Sequence, residues 1–135
     1  MHMLERRARD ILNADSTKPI YVQIAEWIEA EILNDHLQAD QKVYSQYQLA
    51  DMFTINPATA AKGINLLAAE NILFKKRGLG MFVTSEAKKI ILHKKKNQTV
   101  KHIVQELVYE AKQLHMSDEE LFQMIREARL EVDEQ

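Results

Sequence analysis

The sequence predicts a mainly α-helical protein with one small β-hairpin and a helical tail. Two short segments, 46–53 and 57–70, each begin with helix-capping residues and are separated by only a few positions. Two apolar stretches then flank a basic, glycine-containing turn, which is typical of a β-hairpin. From residue 86 onwards, apolar side chains recur every three or four positions, as they do on amphipathic helices.

The composition of the chain excludes several kinds of chemistry. Its 135 residues include no cysteine and only three glycines, and the formal net charge is −2. Without cysteine there is no disulfide, no thiolate nucleophile and no Cys-bearing zinc site. No glycine-rich phosphate-binding motif is present, so we expect neither an enzyme nor a cofactor. No apolar stretch approaches the roughly 20 residues of a membrane span, and the N-terminus lacks the core of a signal peptide. We therefore expect a cytoplasmic protein without a membrane partner.

The near-neutral total charge conceals a strong segregation of charge along the chain. Residues 19–53 carry one base against six acids, and residues 97–135 carry four bases against nine acids. Residues 54–96 carry nine bases against two acids, a net charge of +7. A polyanion that contacts this middle block would gain Coulomb attraction and release counterions. A solvated basic face is the alternative interpretation.

The first part of the chain predicts an arm, a short strand and a long helix. Residues 1–10 are charged and predict a flexible arm, and the apolar pair Ile11-Leu12 predicts a short strand that runs into a turn. Pro19 then opens a helix at about 19–35, in which isoleucines recur every four residues.

The next segments predict a helix-turn-helix. Ser45 and Gln48 form a capping box ahead of the helix at 46–53. Asn56 caps the helix at 57–70, and Pro57 occupies its first position, where proline is best tolerated. Two short capped helices joined by so short a link are typical of this motif.

The helix at 57–70 divides into two faces on a helical wheel. Ala60, Ile64, Leu67 and Asn71 share one face, and Ala58, Lys62, Asn65 and Ala69 share the other. The second face is small and polar, so it can approach another surface closely. Its lysine and asparagine provide donors that can reach phosphates or base edges in a major groove. An ordinary solvent-exposed face is the alternative interpretation.

The following residues predict a cationic hairpin. Ile72–Phe74 and Met81–Val83 are the strands, and the tip at 75–80 is basic, with Gly78 and Gly80 allowing positive φ. A cationic hairpin directly after a helix-turn-helix is the arrangement of a wing that lies along a phosphate backbone. We therefore predict a winged helix-turn-helix domain at 11–85 that binds nucleic acid.

Residues 86–135 predict two amphipathic helices that dimerise. The first lies between 86 and 116, and Ser117 with Glu120 caps the second. The apolar stripes consist of Val100, Ile103, Val104, Leu107, Val108, Ala111 and Leu114 on the first helix and Leu121, Ile125, Ala128 and Val132 on the second. Two such helices cannot enclose a core alone, so we expect the stripes to pack against each other and against a partner chain. Packing back onto the winged domain within a monomer is the alternative.

The histidines of the tail do not predict a metal site. His93 and His102 lie nine residues apart and point to opposite sides of one helix. His102 and Glu106 are one turn apart, and we expect a surface hydrogen-bonded pair there.

Four stretches of sequence resemble the winged helix-turn-helix domain of GntR-type bacterial transcription regulators. They are Pro19-Ile20-Tyr21-Val22-Gln23-Ile24, Tyr44-Ser45-Gln46-Tyr47-Gln48-Leu49-Ala50, Ile55-Asn56-Pro57-Ala58-Thr59-Ala60-Ala61-Lys62 and Arg77-Gly78-Leu79-Gly80-Met81-Phe82-Val83. The Asn-Pro-x-Thr-x-x-Lys entry and the short tail are similar to the YtrA subfamily. The resemblance implies a dimeric repressor of double-stranded operator DNA with an inverted repeat, and many such regulators control ABC-transporter operons. Any small-molecule effector would have to bind in a crevice, because the tail leaves no room for a large effector domain.

The resemblance also implies roles for individual residues. Ser45, Thr59 and Lys62 match positions that such domains direct at the operator, and Arg77, Gly78 and Leu79 match the wing tip. The full set that we predict to bind DNA is Ser45, Gln46, Tyr47, Asn56, Ala58, Thr59, Lys62, Asn65, Lys75, Lys76, Arg77, Gly78 and Leu79.

Two positions depart from the pattern of the family. Tyr47 and Ala61 stand where many relatives carry arginine, and loss of a guanidinium removes a bidentate contact worth ~1–3 kcal/mol of base discrimination. These departures keep open a second interpretation, in which the chain is a winged-helix adaptor that binds other proteins and has little or no affinity for DNA.

Overall fold

The computed structural model describes residues 12–13 and 17–134 of the chain. Its elements are α1 (Ile20–Leu33), α2 (Gln46–Phe53), α3 (Pro57–Ala69), β1 (Leu73–Lys76), β2 (Gly80–Val83), α4 (Ala87–Lys95), a π-helical segment (Lys96–Val100), α5 (Lys101–Gln113) and α6 (Asp118–Asp133). The predicted mainly helical fold with one small hairpin is therefore confirmed. The chain divides into two compact units, with the boundary between His93 and Lys94. The division at 85/86 that the sequence suggests stays a prediction.

Helix α1 supplies the centre of the core of the first unit. Ile24, Ile28 and Ile32 recur every four residues and are all buried, which is the periodicity that a helix requires. Trp27, on the same side, packs edge-on against Phe53 with ring centroids 5.1 Å apart. Complete burial of one such aliphatic side chain contributes about 1.5–3 kcal/mol, so this stripe determines how α1 lies against α2 and α3.

The predicted helix-turn-helix forms with the predicted caps. The Ser45 hydroxyl accepts a hydrogen bond from the Gln48 amide at 3.1 Å, and the Gln48 side chain accepts one from the Ser45 amide at 2.8 Å. The Asn56 side chain accepts from the Ala58 amide at 2.8 Å, and Pro57 is the first residue of α3. These local bonds satisfy amide groups that would otherwise lack partners at the helix starts.

Helices α1 and α3 approach closely at Gly63. A Cβ atom at this position would lie 2.8 Å from the Tyr21 carbonyl oxygen and 3.3 Å from Ile24. Gly63 itself is buried. The lack of a side chain is therefore what allows the two backbones to come this close.

The hairpin pairs in register from Leu73 opposite Val83 to Lys76 opposite Gly80. Its strands extend further towards the tip than the sequence predicts, so that the turn contains only residues 77–79. A third extended segment pairs with β2: the Val43 amide donates to the Met81 carbonyl at 2.9 Å, and the Val83 amide donates to the Gln41 carbonyl at 3.0 Å. The spacing of residues in this segment does not predict the pairing.

Two further expectations about the first unit need correction. Leu12 lies in no strand. The predicted arm, the rest of that strand and most of its turn fall on residues 1–11 and 14–16, which are outside the described residues. Asn71 is not on the apolar face of α3, because the helix ends earlier and Asn71 is exposed with φ 62°.

The second unit consists of helical segments that remain largely exposed. The predicted N-cap of α6 is present, with the Ser117 hydroxyl accepting from the Glu120 amide at 3.2 Å. The expected packing of the two stripes against each other is wrong along most of their length, because α5 and α6 make few contacts. Among the described residues, no helix combines the length and apolar character needed to cross a bilayer.

Candidate nucleic-acid interface

Helix α3 presents its small, polar face to solvent. Ala58, Lys62, Asn65 and Ala69 are all exposed, whereas Ala60, Ile64 and Leu67 are buried in the core. The division into two faces is the one that the sequence predicts. Because most of the exposed side chains are short, the backbone of α3 can approach a flat or concave surface closely.

Lys62 is held at one margin of this face. Its Nζ atom lies 4.2 Å from the centroid of the Tyr21 ring, in cation–π geometry. Tyr21 belongs to the first turn of α1, which meets α3 at Gly63. The ammonium group is therefore directed towards the α1 side of the face and is preorganised for an anionic partner there.

The start of α2 contributes a second set of side chains to the candidate interface. Ser45 is exposed as the N-cap, Gln46 is half-buried and Tyr47 is 69% exposed. The Ser45 hydroxyl accepts from an amide within its own helix, so its hydrogen is available to an external acceptor such as a phosphate oxygen. Anions are favoured at this helix start by the helix dipole.

The wing presents three cations in different ways. Lys75 and Arg77 are exposed, and Gly78 and Leu79 complete the turn, with Leu79 60% exposed. Lys76 is half-buried because its Nζ atom lies 4.2 Å from the Phe82 ring centroid and 5.6 Å from that of Phe74. Strand alternation places Lys75 on the opposite side of the hairpin.

A crevice of about 310 Å³ separates the helices from the wing. Its lining includes Tyr47 from α2, Ala61 and Asn65 from α3, and Lys75 from β1. Tyr47 and Ala61, the two residues that depart from the pattern of the family, thus line the same crevice. The predicted residues Asn56 and Thr59 lie at the start of α3, exposed and half-buried respectively.

Lys42 is a basic residue of this surface that sequence analysis missed. It is exposed, lines the crevice and lies opposite Phe82 in the third strand segment. A Cβ atom on Gly80 would lie 3.1 Å from its Cε atom. Lys42 is the only base within residues 19–53, and the segment that pairs with β2 brings it to the cationic wing.

Most of the predicted dimerisation residues are exposed, and the two buried ones lie near the turn between α5 and α6. The exposed residues of the predicted stripes are Val100, Ile103, Val104, Leu107, Val108, Leu114, Ile125, Ala128 and Val132, and the branched ones range from 38% exposed for Leu107 to 68% for Leu114 and Val132. Ala111 and Leu121 are buried. Most of the apolar face of the second unit therefore contacts solvent in the single chain.

The polar side of α5 carries the predicted histidine pair. His102 Nε2 lies 2.9 Å from Glu106 Oε1, and both side chains are exposed. Within the described residues, no three His, Asp or Glu side chains come together in a way that could hold a metal ion.

Comparison with known proteins shows what the chain is similar to. The model of the bacterial regulatory proteins of the gntR family matches residues 20–83. Over 73 residues the chain is 34% identical to the HTH-type transcriptional repressor NagR of Bacillus subtilis (strain 168), of which it spans 30%. It is also 27% identical over 117 residues to the HTH-type transcriptional repressor YtrA of the same organism, covering 87% of this chain and 89% of YtrA. These relatives are transcriptional regulators and not enzymes.

Solved structures share the fold. A putative transcriptional regulator of the GntR family from Bacteroides thetaiotaomicron has 28% identity and a TM-score of 0.74, covering 84% of this chain and 98% of that one. The DNA-binding domain of AraR in complex with operator ORX1 has 28% identity and a TM-score of 0.50, covering 54% of this chain and 90% of that one.

Proposed function

Because residues 20–83 make this chain a member of the GntR family of transcriptional regulators, we propose that it is a homodimeric repressor that binds an inverted-repeat operator. Members of the family have a DNA-binding domain, and the chain has YtrA-like relatives. The observation that carries the proposal is the surface shared by α3 and the wing. Lys62, Lys75, Arg77 and Lys42 are all exposed there, next to the short side chains of α3. AraR, whose DNA-binding domain has a similar fold, is crystallised on operator DNA.

In this proposal α3 enters the major groove and the wing follows the adjacent phosphates. The exposed alanines allow close approach, Asn65 faces the base edges, and Lys62 contacts the backbone. The capped start of α2 provides a further phosphate contact through Ser45. Affinity then comes largely from the cations, and it must fall as salt rises.

The experiment that tests DNA binding is a salt titration of the whole chain on a labelled duplex of random sequence. Replacing Lys75, Lys76 and Arg77 together by glutamine should weaken binding and flatten the slope of log affinity against log salt by about 0.9 for each phosphate group that is no longer neutralised. Replacing Lys101, Lys112 and Arg126 by glutamine changes the net charge equally in the second unit and should leave the slope unchanged. Absence of salt-dependent binding would overturn the proposal and favour the adaptor.

The exposed stripe of the second unit supports the homodimer. Nine residues of the predicted stripes, eight of them branched aliphatics, are exposed in the single chain, and α5 and α6 do not cover each other. A continuous apolar surface of this kind is typical of a protein–protein interface. A dimer would also fix the two recognition helices one helical turn of DNA apart, about 34–36 Å, or a multiple of it.

The oligomeric state is tested by sedimentation of Leu107→Glu beside Gln105→Glu. Both substitutions add one negative charge to α5, but Leu107 lies on the apolar stripe and Gln105 on the polar side with His102. We expect the first variant to dissociate and to lose operator affinity, and the second to remain dimeric. A monomeric parent chain would refute the dimer.

Repression in this proposal is occlusion of a promoter by the bound dimer. The names of NagR and YtrA, both transcriptional repressors, support this sign of regulation. A reporter gene placed behind the operator should therefore rise in expression when Lys62 is replaced by alanine. A fall in expression would indicate activation instead.

A further inference from the structure

The base-reading surface of α3 contains almost no charge. With rotation of about 100° per residue, Ala61, Asn65, Ala58, Ala69 and Lys62 follow one another around an arc of about 100°. The buried residues Ala60, Gly63, Ile64 and Leu67 occupy the opposite side. Lys62 is thus at one edge of this arc, and the half-buried Ala61 is at the other.

The lysine at the edge is unsuited to reading a base at the centre of the helix. Its Nζ atom lies 4.2 Å from the Tyr21 ring centroid, on the side of α3 that meets α1. With α3 in the major groove, as proposed above, an ammonium held there would face the DNA backbone and not the base edges. Helix α3 contains no arginine, so the side chain that most often recognises guanine is missing from it.

The other edge and the centre carry the chemistry that recognises A·T pairs. Asparagine forms a bidentate pair with the N6 and N7 atoms of adenine, whereas an alanine methyl group makes apolar contact with the C5-methyl group of thymine. Asn65 lies one turn after Ala61, and both line the crevice of about 310 Å³. Tyr47 lines the same crevice from α2 and is 69% exposed, so its ring adds apolar surface beside Ala61.

We propose that α3 reads A·T base pairs at the centre of each half-site, with Asn65 recognising adenine and Ala61, together with the Tyr47 ring, contacting a thymine methyl group. The inference rests on the proposed DNA binding and specifies its sequence preference. Arginine at 47 or 61 would fill the crevice with a cation suited to guanine. Tyrosine and alanine leave it apolar and open.

The first experiment selects duplexes from a randomised library with the whole chain. We expect each recovered half-site to contain A·T pairs at its centre. The selected duplex is then made with uracil in place of the central thymines, which removes only the C5-methyl groups. Affinity should fall several-fold, whereas uracil outside the half-sites should have no effect.

Protein variants assign the preference to residues. Asn65→Ala should lower affinity for the selected duplex by about 5- to 150-fold, the usual value of a bidentate pair, and relax the preference for adenine. Ala61→Arg should shift selection towards G·C at the contacted pair. Lys62→Gln, the control, should weaken binding to all duplexes by the same factor and leave the selected sequence unchanged.

The outcomes separate this inference from the proposed function. Selection of G·C pairs at the centre would overturn the A·T preference, and indifference to uracil there would overturn the methyl contact of Ala61 and Tyr47; both results leave DNA binding intact. Failure to bind any duplex would overturn the proposed function. The selection and the uracil measurement use the unmodified protein, so they remain decisive even when a variant fails to fold.

Discussion

Gly63→Ala is the substitution whose effect is most closely determined by the contact between α1 and α3. On an isolated helix this change stabilises by about 1 kcal/mol, because alanine is the better helix former. In this chain the added Cβ atom would lie 2.8 Å from the Tyr21 carbonyl oxygen, which belongs to the backbone and cannot rotate away. Helix α1 must therefore move, and Ile24, with two atoms at 3.3 Å, must move with it.

The expected sign is destabilising. Overpacking of a buried contact costs about 1–3 kcal/mol, which offsets the gain in helix propensity and leaves a net loss of about 0–2 kcal/mol. Because the contact also positions Tyr21 beneath Lys62, the variant should bind DNA more weakly even at a temperature where it is fully folded. Urea unfolding at fixed protein concentration measures the first effect, and fluorescence anisotropy with labelled duplex measures the second.

Asn65→Ala provides the matched control for stability. It lies two residues further along the same helix, is exposed, and gains about 0.5 kcal/mol in helix propensity with no packing conflict. The two substitutions should therefore change the unfolding free energy in opposite directions. If Gly63→Ala stabilised the chain by about as much as propensity alone predicts, the argument from close approach would be refuted.

Five other variants, at four positions, test separate parts of the interface. Ser45→Ala removes the acceptor for the Gln48 amide and should cost about 1 kcal/mol in unfolding free energy, whereas Ser45→Asp should retain the cap but weaken DNA binding. Arg77→Gln should flatten the salt slope by about 0.9. Lys76→Gln should change the slope less and lower the free energy of unfolding by about 0.5–1 kcal/mol, because the Lys76 ammonium lies over the Phe82 ring. Equal slopes for Arg77→Gln and Lys76→Gln would contradict this assignment. Lys42→Gln should flatten the slope as Arg77→Gln does, and an unchanged slope would remove Lys42 from the interface.

The structural features that the sequence predicts correctly are those that depend on residues close together in the chain. The caps at Ser45 and Asn56, the start of α3 at Pro57 and the two faces of α3 all follow from residues within a few positions of one another. The same is true of the hairpin, since its apolar stretches and glycine-containing turn are contiguous. Such features need only short-range hydrogen bonding and periodicity to predict.

Features that depend on distant residues were missed. The pairing of residues 41–43 with β2 joins segments about forty positions apart, and a strand of this length has no periodicity of its own. From the sequence alone, Lys42 is therefore a single base in an acidic block, and nothing predicts its position beside the wing. The contact between Lys62 and Tyr21 joins two helices in the same way, and it gives the lysine a direction that a helical wheel cannot supply.

The packing of the helical tail at 86–135 could not be predicted from the sequence of one chain. The stripe of α5 was predicted from periodicity, but its expected cover by α6 is wrong. A π-helical segment at Lys96–Val100 also interrupts the predicted long helix. The absence of cover by α6 could not be predicted from spacing, because a helix that packs on a second chain and one that packs on its own neighbour have the same apolar pattern.

The charge distribution predicts that salt has opposite effects on the two proposed associations. DNA binding uses the cationic block at 54–96, so rising salt must weaken it. Residues 97–135 carry a net charge of −5 in each copy, and bringing two such segments together is opposed by repulsion that salt screens. Apolar contact at the stripe is insensitive to this screening, so the dimer should tighten as salt rises. Sedimentation of the free protein and anisotropy on duplex, both from about 50 to 200 mM salt, measure the two trends. Dimerisation that weakened with salt would mean that ion pairs, and not the apolar stripe, hold the two chains together.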